Sequence, residues 1–289
     1  MIVELDGAPV FVGSGSGTWE AGEPTLLLLH GAGMDRTVWV LLARYFARHG
    51  WNVVAPDWPA HGGSGGEPLA SIEAQAGWAW RLLDELRATQ PIELGSETGS
   101  AAGGQGSGSK ALVVAGHSMG ALAAVAMAGE RPADITGLLL LGAGYPMAVG
   151  GPLLDAAQAN ARAAIDMITI YGHSHASRLG RNPMAGINIV NQAAALLERA
   201  APGVLHADLA ACNAWGGAEA AAERYGTGRA AILTGSEDRM TPARGTRTLA
   251  TLLGADLVPL EDCGHMMMSE QPEATLRAMR ERLAALTKS

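Results

Sequence analysis

Two cysteines, Cys212 and Cys263, are all that the 289 residues contain. That is too few for a disulfide framework, and no close Cys/His cluster has the spacing of a zinc site. Basic charge is also short: 20 Lys and Arg stand against 28 Asp and Glu, a net charge of −8, with a pI near 5.5. Nucleic acid and anionic membranes both reward a basic face, so neither is expected as the main partner. No apolar run approaches the roughly 20 residues of a membrane span; the densest, Thr25–Leu29 and Gly137–Leu141, are strand-length. The opening Met1-Ile2-Val3-Glu4-Leu5-Asp6 puts an acid where a secretory leader needs basic residues and a long apolar stretch. These absences predict a reduced, cytoplasmic protein. With 48% hydrophobic residues, disorder is excluded for most of the chain, which is long enough to bury a large core.

What is present is an alternation of strand-like and helix-like segments separated by glycine-rich turns. Residues 2–12 read as a short strand or hairpin. The run Thr25–Leu29 is continuously apolar, as in a strand buried on both faces, and leads into His30-Gly31-Ala32-Gly33. Helical spacing follows over residues 36–49, a strand over 51–56, and a helix over 71–89. Residues 111–115 read as a strand, 121–130 as a helix and Gly137–Leu141 as a strand. After Gly144-Tyr145-Pro146 the alternation stops, and helices are expected over 152–171, 188–201 and 205–215. It resumes with strands at 230–234 and 257–259 and helices at 244–253 and 272–286. Such alternation predicts an α/β fold, a mostly parallel central sheet with helices on both faces. The expected division is a core of residues 1–144 and 216–289 and an inserted helical cap of 145–215. Residues 95–109, nearly all Gly, Ser and Ala, read as a flexible surface loop.

Chemistry enters at Gly116-His117-Ser118-Met119-Gly120, a G-x-S-x-G pattern between a predicted strand and a predicted helix. In that context it marks the sharp turn that raises a serine hydroxyl out of the backbone. Its small flanking residues let helix and strand approach closely, and the helix start offers amides to a developing negative charge. A serine is a weak nucleophile until a base takes its proton, and the base needs an orienting carboxylate. Ser236-Glu237-Asp238 follows one predicted strand, and Asp262-Cys263-Gly264-His265 follows the last. The order Ser118, Asp238, His265 is the one that accompanies this turn, and loops past the carboxyl ends of parallel strands converge on one side of the sheet. Glu237 competes with Asp238, but the shorter acid ahead of Met240-Thr241-Pro242 is preferred. Among eight histidines, His30 is expected to orient its turn and His61 to lie in a flexible glycine-rich loop. His117 is expected to point away from the raised serine, His49 and His206 to sit at helix ends, and His173 and His175 lack a third metal ligand.

These residues resemble those of the α/β-hydrolase superfamily, in its serine hydrolase, esterase-like members with a helical cap. The resemblance rests on His30-Gly31-Ala32-Gly33, residues 57–64, Gly116 to Gly120, residues 235–242 and Gly264-His265. It implies an oxyanion hole from the amides after the His-Gly pair and after the nucleophile. By position these are Ala32 and Met119, with Gly31 or Gly33 replacing Ala32 if the turn is wound differently. A serine at position 118 excludes the aspartate nucleophile of haloalkane and epoxide chemistry. His117 replaces the Asn common before the nucleophile in C–C hydrolases, while perhydrolases share nearly the whole pattern.

The expected activity is therefore cleavage of a small-molecule carboxylic ester or thioester through an acyl-enzyme, with no cofactor and no metal. The same triad could instead serve C–C hydrolysis, perhydrolase or lyase chemistry, or survive in a non-catalytic binding module. A homodimer is left open. Trp58, Tyr145 and Met147 are candidate pocket residues, since they leave strand ends on the expected active side or open the cap. Leu153, Met167, Ile168, Met184 and Ile187 are weighed as pocket lining against a plain role in the cap's own core.

Overall fold

The computed structural model describes residues 1–15, 17–90, 111–181, 183 and 186–287. The expected flexible loop at 95–109 and the pocket candidate Met184 lie outside the described residues. Strand β1 (Ile2–Leu5) and β2 (Ala8–Gly13) form a hairpin closed by Asp6-Gly7, both at positive φ (54° and 77°). Two such residues make the primed turn whose twist matches that of the strands it joins.

Among the described residues, eight strands form one sheet in the order β1-β2-β4-β3-β5-β6-β7-β8. Here β3 is Thr25–Leu29, β4 Asn52–Pro56, β5 Leu112–His117, β6 Gly137–Leu141, β7 Ala230–Gly235 and β8 Asp256–Leu260. The pairs β1–β2 and β2–β4 are antiparallel, and every pairing from β4 through β8 is parallel. Strands β3, β4, β5 and β6 are buried at every position, which is why their sequences run apolar without alternation. The edge strand β8 is largely exposed and carries Pro259, whose missing N–H is tolerated only at an edge or bulge.

Successive side chains of each strand point to opposite faces, so the sheet builds two cores. Leu27, Leu29, Val114, Leu138, Leu140 and Ile232 face helices α2 (Ile72–Thr89), α3 (Met119–Glu130), α9 (Ala218–Tyr225) and α10 (Ala243–Leu253). Leu26, Leu28, Val113, Leu139, Leu141 and Leu233 face α1 (Val40–Ala47), the turn α11 (Met267–Glu270) and α12 (Pro272–Leu286). Helix α9 corrects the sequence reading, which assigned no element between residues 215 and 230.

Between β6 and α9 run α4 (Gly151–Gln158), α5 (Arg162–Gly172), α6 (His175–Arg178), α7 (Ile189–Leu197) and α8 (Val204–Ala214). The single helix expected over 152–171 is two, broken where Asn160 turns to φ 50° and its side chain accepts the Gly203 amide at 2.7 Å. These helices enclose a third apolar cluster of Leu153, Ala157, Ile168, Ala193, Leu197 and Leu209, together with Met34 and Met266. Met34 and Met266 belong to the loops that follow β3 and β8, so this cluster sits over the carboxyl ends of the strands. Among the described residues no helix is long and apolar enough to cross a membrane.

Candidate active site

Strand β5 ends at His117, and α3 begins at Met119, leaving Ser118 alone to make the turn. Its backbone sits at φ 54°, ψ −117°, a conformation that costs a non-glycine residue of order 1–3 kcal/mol and is found where function holds it. The flanking glycines are required by contact. A Cβ on Gly116 would lie 2.2 Å from the Gly120 carbonyl oxygen, and one on Gly120 would lie 2.3 Å from that of Leu29. Helix and strand therefore cross at backbone distance. Met119 is the first residue of α3, so its N–H has no acceptor within the helix.

Asp238 and His265 meet directly. The His265 Nδ1–H donates to Asp238 Oδ2 at 2.8 Å, with both side chains almost fully buried. Asp238 also accepts the amides of Met240 and Thr241 at 2.9 Å each and the Thr241 hydroxyl at 2.6 Å. Burial alone would raise its pKa, but the His265 charge and these hydrogen bonds hold it below the ordinary carboxylate value. Glu237 does other work: its Oε2 accepts the His175 amide at 2.7 Å. Ser118 and His265 are linked through their neighbours. The Ser118 amide bonds the Leu141 carbonyl at 2.9 Å. At the next residue, a Cβ on Gly142 would lie 2.9 Å from His265 Nδ1. The His117 and His265 rings lie 4.7 Å apart, and His117 Nε2–H donates to the His265 carbonyl at 2.9 Å. Burial, with the adjacent His265, lowers the His117 pKa to about 3, so this ring is neutral.

The turn after β3 supplies amides. Met34 N–H bonds the Gly31 carbonyl at 3.2 Å, and Gly33 stands at φ 65°. The Gly33 N–H is already spent on Asp208 Oδ2, at 2.8 Å. Among the described residues, the Ala32 N–H has no partner in this turn. His30 braces the turn from beneath, donating Nδ1–H to Gly31 O at 3.0 Å and accepting the Trp58 amide on Nε2 at 3.1 Å.

Trp58 is a core residue 2% exposed, its indole N–H bonded to the His30 carbonyl and its ring 5.4 Å from Trp78. Tyr145 donates its hydroxyl to Glu219 at 2.6 Å. With Met147, Met240, Thr241 and Arg244 it lines a cavity of about 430 Å³ beside the Asp238 loop. A larger cavity of about 510 Å³, lined by Leu41, Ile189, Ala193, Met266 and Met268, opens next to His265. Neither is lined by Ser118, Asp238 or His265 themselves. Leu153 and Ile168 belong to the helical cluster above the sheet.

Three buried side chains escaped the sequence reading. His61, expected in a flexible loop, is 2% exposed and pairs with Asp208 of α8 at 2.8 Å. Its loop is pinned by Asp57, which accepts the Arg36 and Gly63 amides, and by Ser64, whose hydroxyl donates to the Asp57 carbonyl. Glu270 accepts the Ser174 amide and the Ser177 hydroxyl, each at 2.8 Å, and the Gly264 amide at 3.0 Å. It thereby ties α5 and α6 to the loop that bears His265. For Asp208 and Glu270 the only sequence signal was an acid set among apolar helix positions.

An alpha/beta hydrolase family model matches residues 26–278. A pimeloyl-(acyl-carrier protein) methyl ester esterase of Aromatoleum aromaticum is 29% identical over 267 residues, covering 86% of this chain and 94% of the relative. The enol-lactonase of Burkholderia xenovorans superposes with TM-score 0.78 at 18% identity, covering 98% of this chain and 100% of its own. A thermophilic esterase of Thermogutta terrifontis superposes with TM-score 0.76 at 19% identity, covering 96% and 94%. With the family model spanning most of its length and the sheet order and serine turn in place, the chain belongs to the alpha/beta hydrolase family.

Proposed function

We propose that the protein is a serine hydrolase that cleaves a carboxylic ester or thioester of small to medium size through an acyl-enzyme. The observation that carries this reading is the buried His265–Asp238 pair beside a serine held on a strained turn. With Nδ1 committed to Asp238, His265 Nε2 is the nitrogen left to take the Ser118 proton as Oγ attacks the carbonyl carbon. Asp238 fixes that tautomer and stabilises the imidazolium. The oxyanion of the tetrahedral intermediate is held by the N–H groups of Ala32 and Met119; the alternative donor Gly33 is occupied by Asp208. Collapse expels the alkoxide or thiolate, and His265 returns its proton to the leaving group. Water, deprotonated by His265, then releases the acid and restores Ser118. No step requires a cofactor or a metal.

The ester-cleaving names of the relative and of the structural neighbours support this bond class over C–C hydrolysis. We assign residues 145–215 as a cap over the site, with Tyr145 and Met147 at the mouth of an adjoining cavity. Two buried, unpaired cysteines suit a reducing cytoplasm. The test is turnover of p-nitrophenyl esters and acyl thioesters of graded chain length by wild type and by Ser118→Ala. Hydrolysis should fall to background in the variant at every chain length, and turnover that survives it would refute the reading.

A further inference from the structure

A second His–Asp pair joins the helical insertion to the turn that bears Ala32. Asp208, in α8, is 1% exposed, and a single oxygen, Oδ2, accepts both the Gly33 amide and the His61 Nε2–H at 2.8 Å. The other His61 nitrogen, Nδ1, faces the Pro59 carbonyl at 2.9 Å. A carbonyl only accepts, so Nδ1 carries a proton, and one further proton joins Nε2 to Asp208 Oδ2. Burial would lower the His61 pKa, but the hydrogen bond and charge of Asp208 raise it, which favours an imidazolium–carboxylate pair. Its surroundings agree: Asp57 lies on the same loop, and the neighbouring His30, 5.1 Å away between rings, is neutral because burial holds its pKa at about 3.

We propose that Asp208 is a positioning residue for the oxyanion turn, and that His61 orients it. By holding the Gly33 N–H, Asp208 fixes the Ala32–Gly33 peptide on one side of Ala32, while Met34 N–H and His30 Nδ1–H hold the Gly31 carbonyl of the peptide that carries the Ala32 N–H. Gly33 has little intrinsic preference for its φ of 65° over other wells, so on this side of Ala32 the turn is set by its tether to Asp208. The tether comes from the insertion, 175 residues away in sequence. Helix α8 thus contributes one of the bonds that shape the catalytic turn. This inference rests on the serine hydrolase reading above.

The experiment compares Asp208→Asn, His61→Gln and the double variant with wild type on a short p-nitrophenyl ester, with Ser118→Ala as the blank. Active sites are counted by titration with a phosphonate ester. The side-chain amide introduced by Asp208→Asn carries no charge to pair with an imidazolium, so the turn loosens. A displaced donor near the reacting atoms costs about 10²-fold. We expect kcat per titrated site to fall about 10²-fold with KM changed less than about threefold, and the double variant to match the worse single variant, as for residues acting as one unit. Fewer titratable sites with unchanged kcat per site would make the pair merely structural and overturn the proposal. Ser118-independent turnover would instead overturn the hydrolase reading beneath it. Should the variants not fold, ¹⁵N NMR of the wild-type imidazoles decides: both His61 nitrogens protonated at pH 7 supports the pair, and a singly protonated His61 contradicts it.

Discussion

Asp238 and Glu237 are neighbours with the same charge and different jobs. Asp238 takes four hydrogen bonds, one of them from His265, while Glu237 reaches outward to the His175 amide. In the proposed serine hydrolase Asp238 orients His265; replacing such an acid by its amide leaves the wrong histidine tautomer, which in well-studied triads lowers kcat by about 10⁴-fold. Asp238→Asn should approach that loss in ester turnover, whereas Glu237→Gln should stay within about tenfold; the reverse ranking at equal folding stability would reassign the acid. The meeting of Asp238 with His265 was legible in sequence because each follows a predicted strand, and loops past the carboxyl ends of parallel strands converge on one side of the sheet. Asp208 was not, since its partners His61 and Gly33 lie 147 and 175 positions away. Trp58 shows the other limit. Its place after a strand suggested a pocket, but its indole N–H finds the His30 carbonyl in the core.

Elements were legible in proportion to how far burial shaped their composition. Gly137–Leu141 and residues 272–286 match the sequence reading to the residue because one is wholly buried and the other opens on Pro272. Helix α9 was missed because its buried face is Ala218, Ala221, Ala222 and Tyr225, small residues for the most part, which carry a weak apolar signal. Their size is the point: a Cβ on Gly129 of α3 would stand 2.7 Å from the Ala221 Cα, so only small side chains let the two helices meet. The short α6 was invisible for another reason, being held by Glu270 rather than by its own pattern. Hydrogen bonds to a charged group are worth about 1.5–3 kcal/mol. Glu270→Gln, which turns a donor toward at least one of three donors, should lower unfolding free energy in urea by about 2 kcal/mol. A loss under about 0.5 kcal/mol would mean that this contact does not hold α6 to the His265 loop.

At the scale of the molecule, the sheet gathers its polar burden at the carboxyl ends of the strands, where His30 and His117 are both fully buried. Burial, aided by the neighbouring histidines, lowers each to about 3, against about 6.5 in an unfolded chain. As pH falls below about 6.5 the unfolded state binds these protons first. Stability is therefore intact above that pH and should decline toward pH 3 by about 1.4 kcal/mol per pH unit for each histidine. Urea unfolding at pH 7, 5.5 and 4.5 measures this, and an unfolding free energy flat across that range would contradict it. The alternation of strands and helices placed the chain among α/β folds, but alternation alone says nothing of which serine reacts. That is measured most directly by treating the wild type with a fluorophosphonate and locating the adduct by peptide mass spectrometry. A single phosphonyl group on Ser118, absent from Ser118→Ala, is expected; an adduct on another residue, or none on a folded protein, would contradict the assignment of Ser118 as nucleophile.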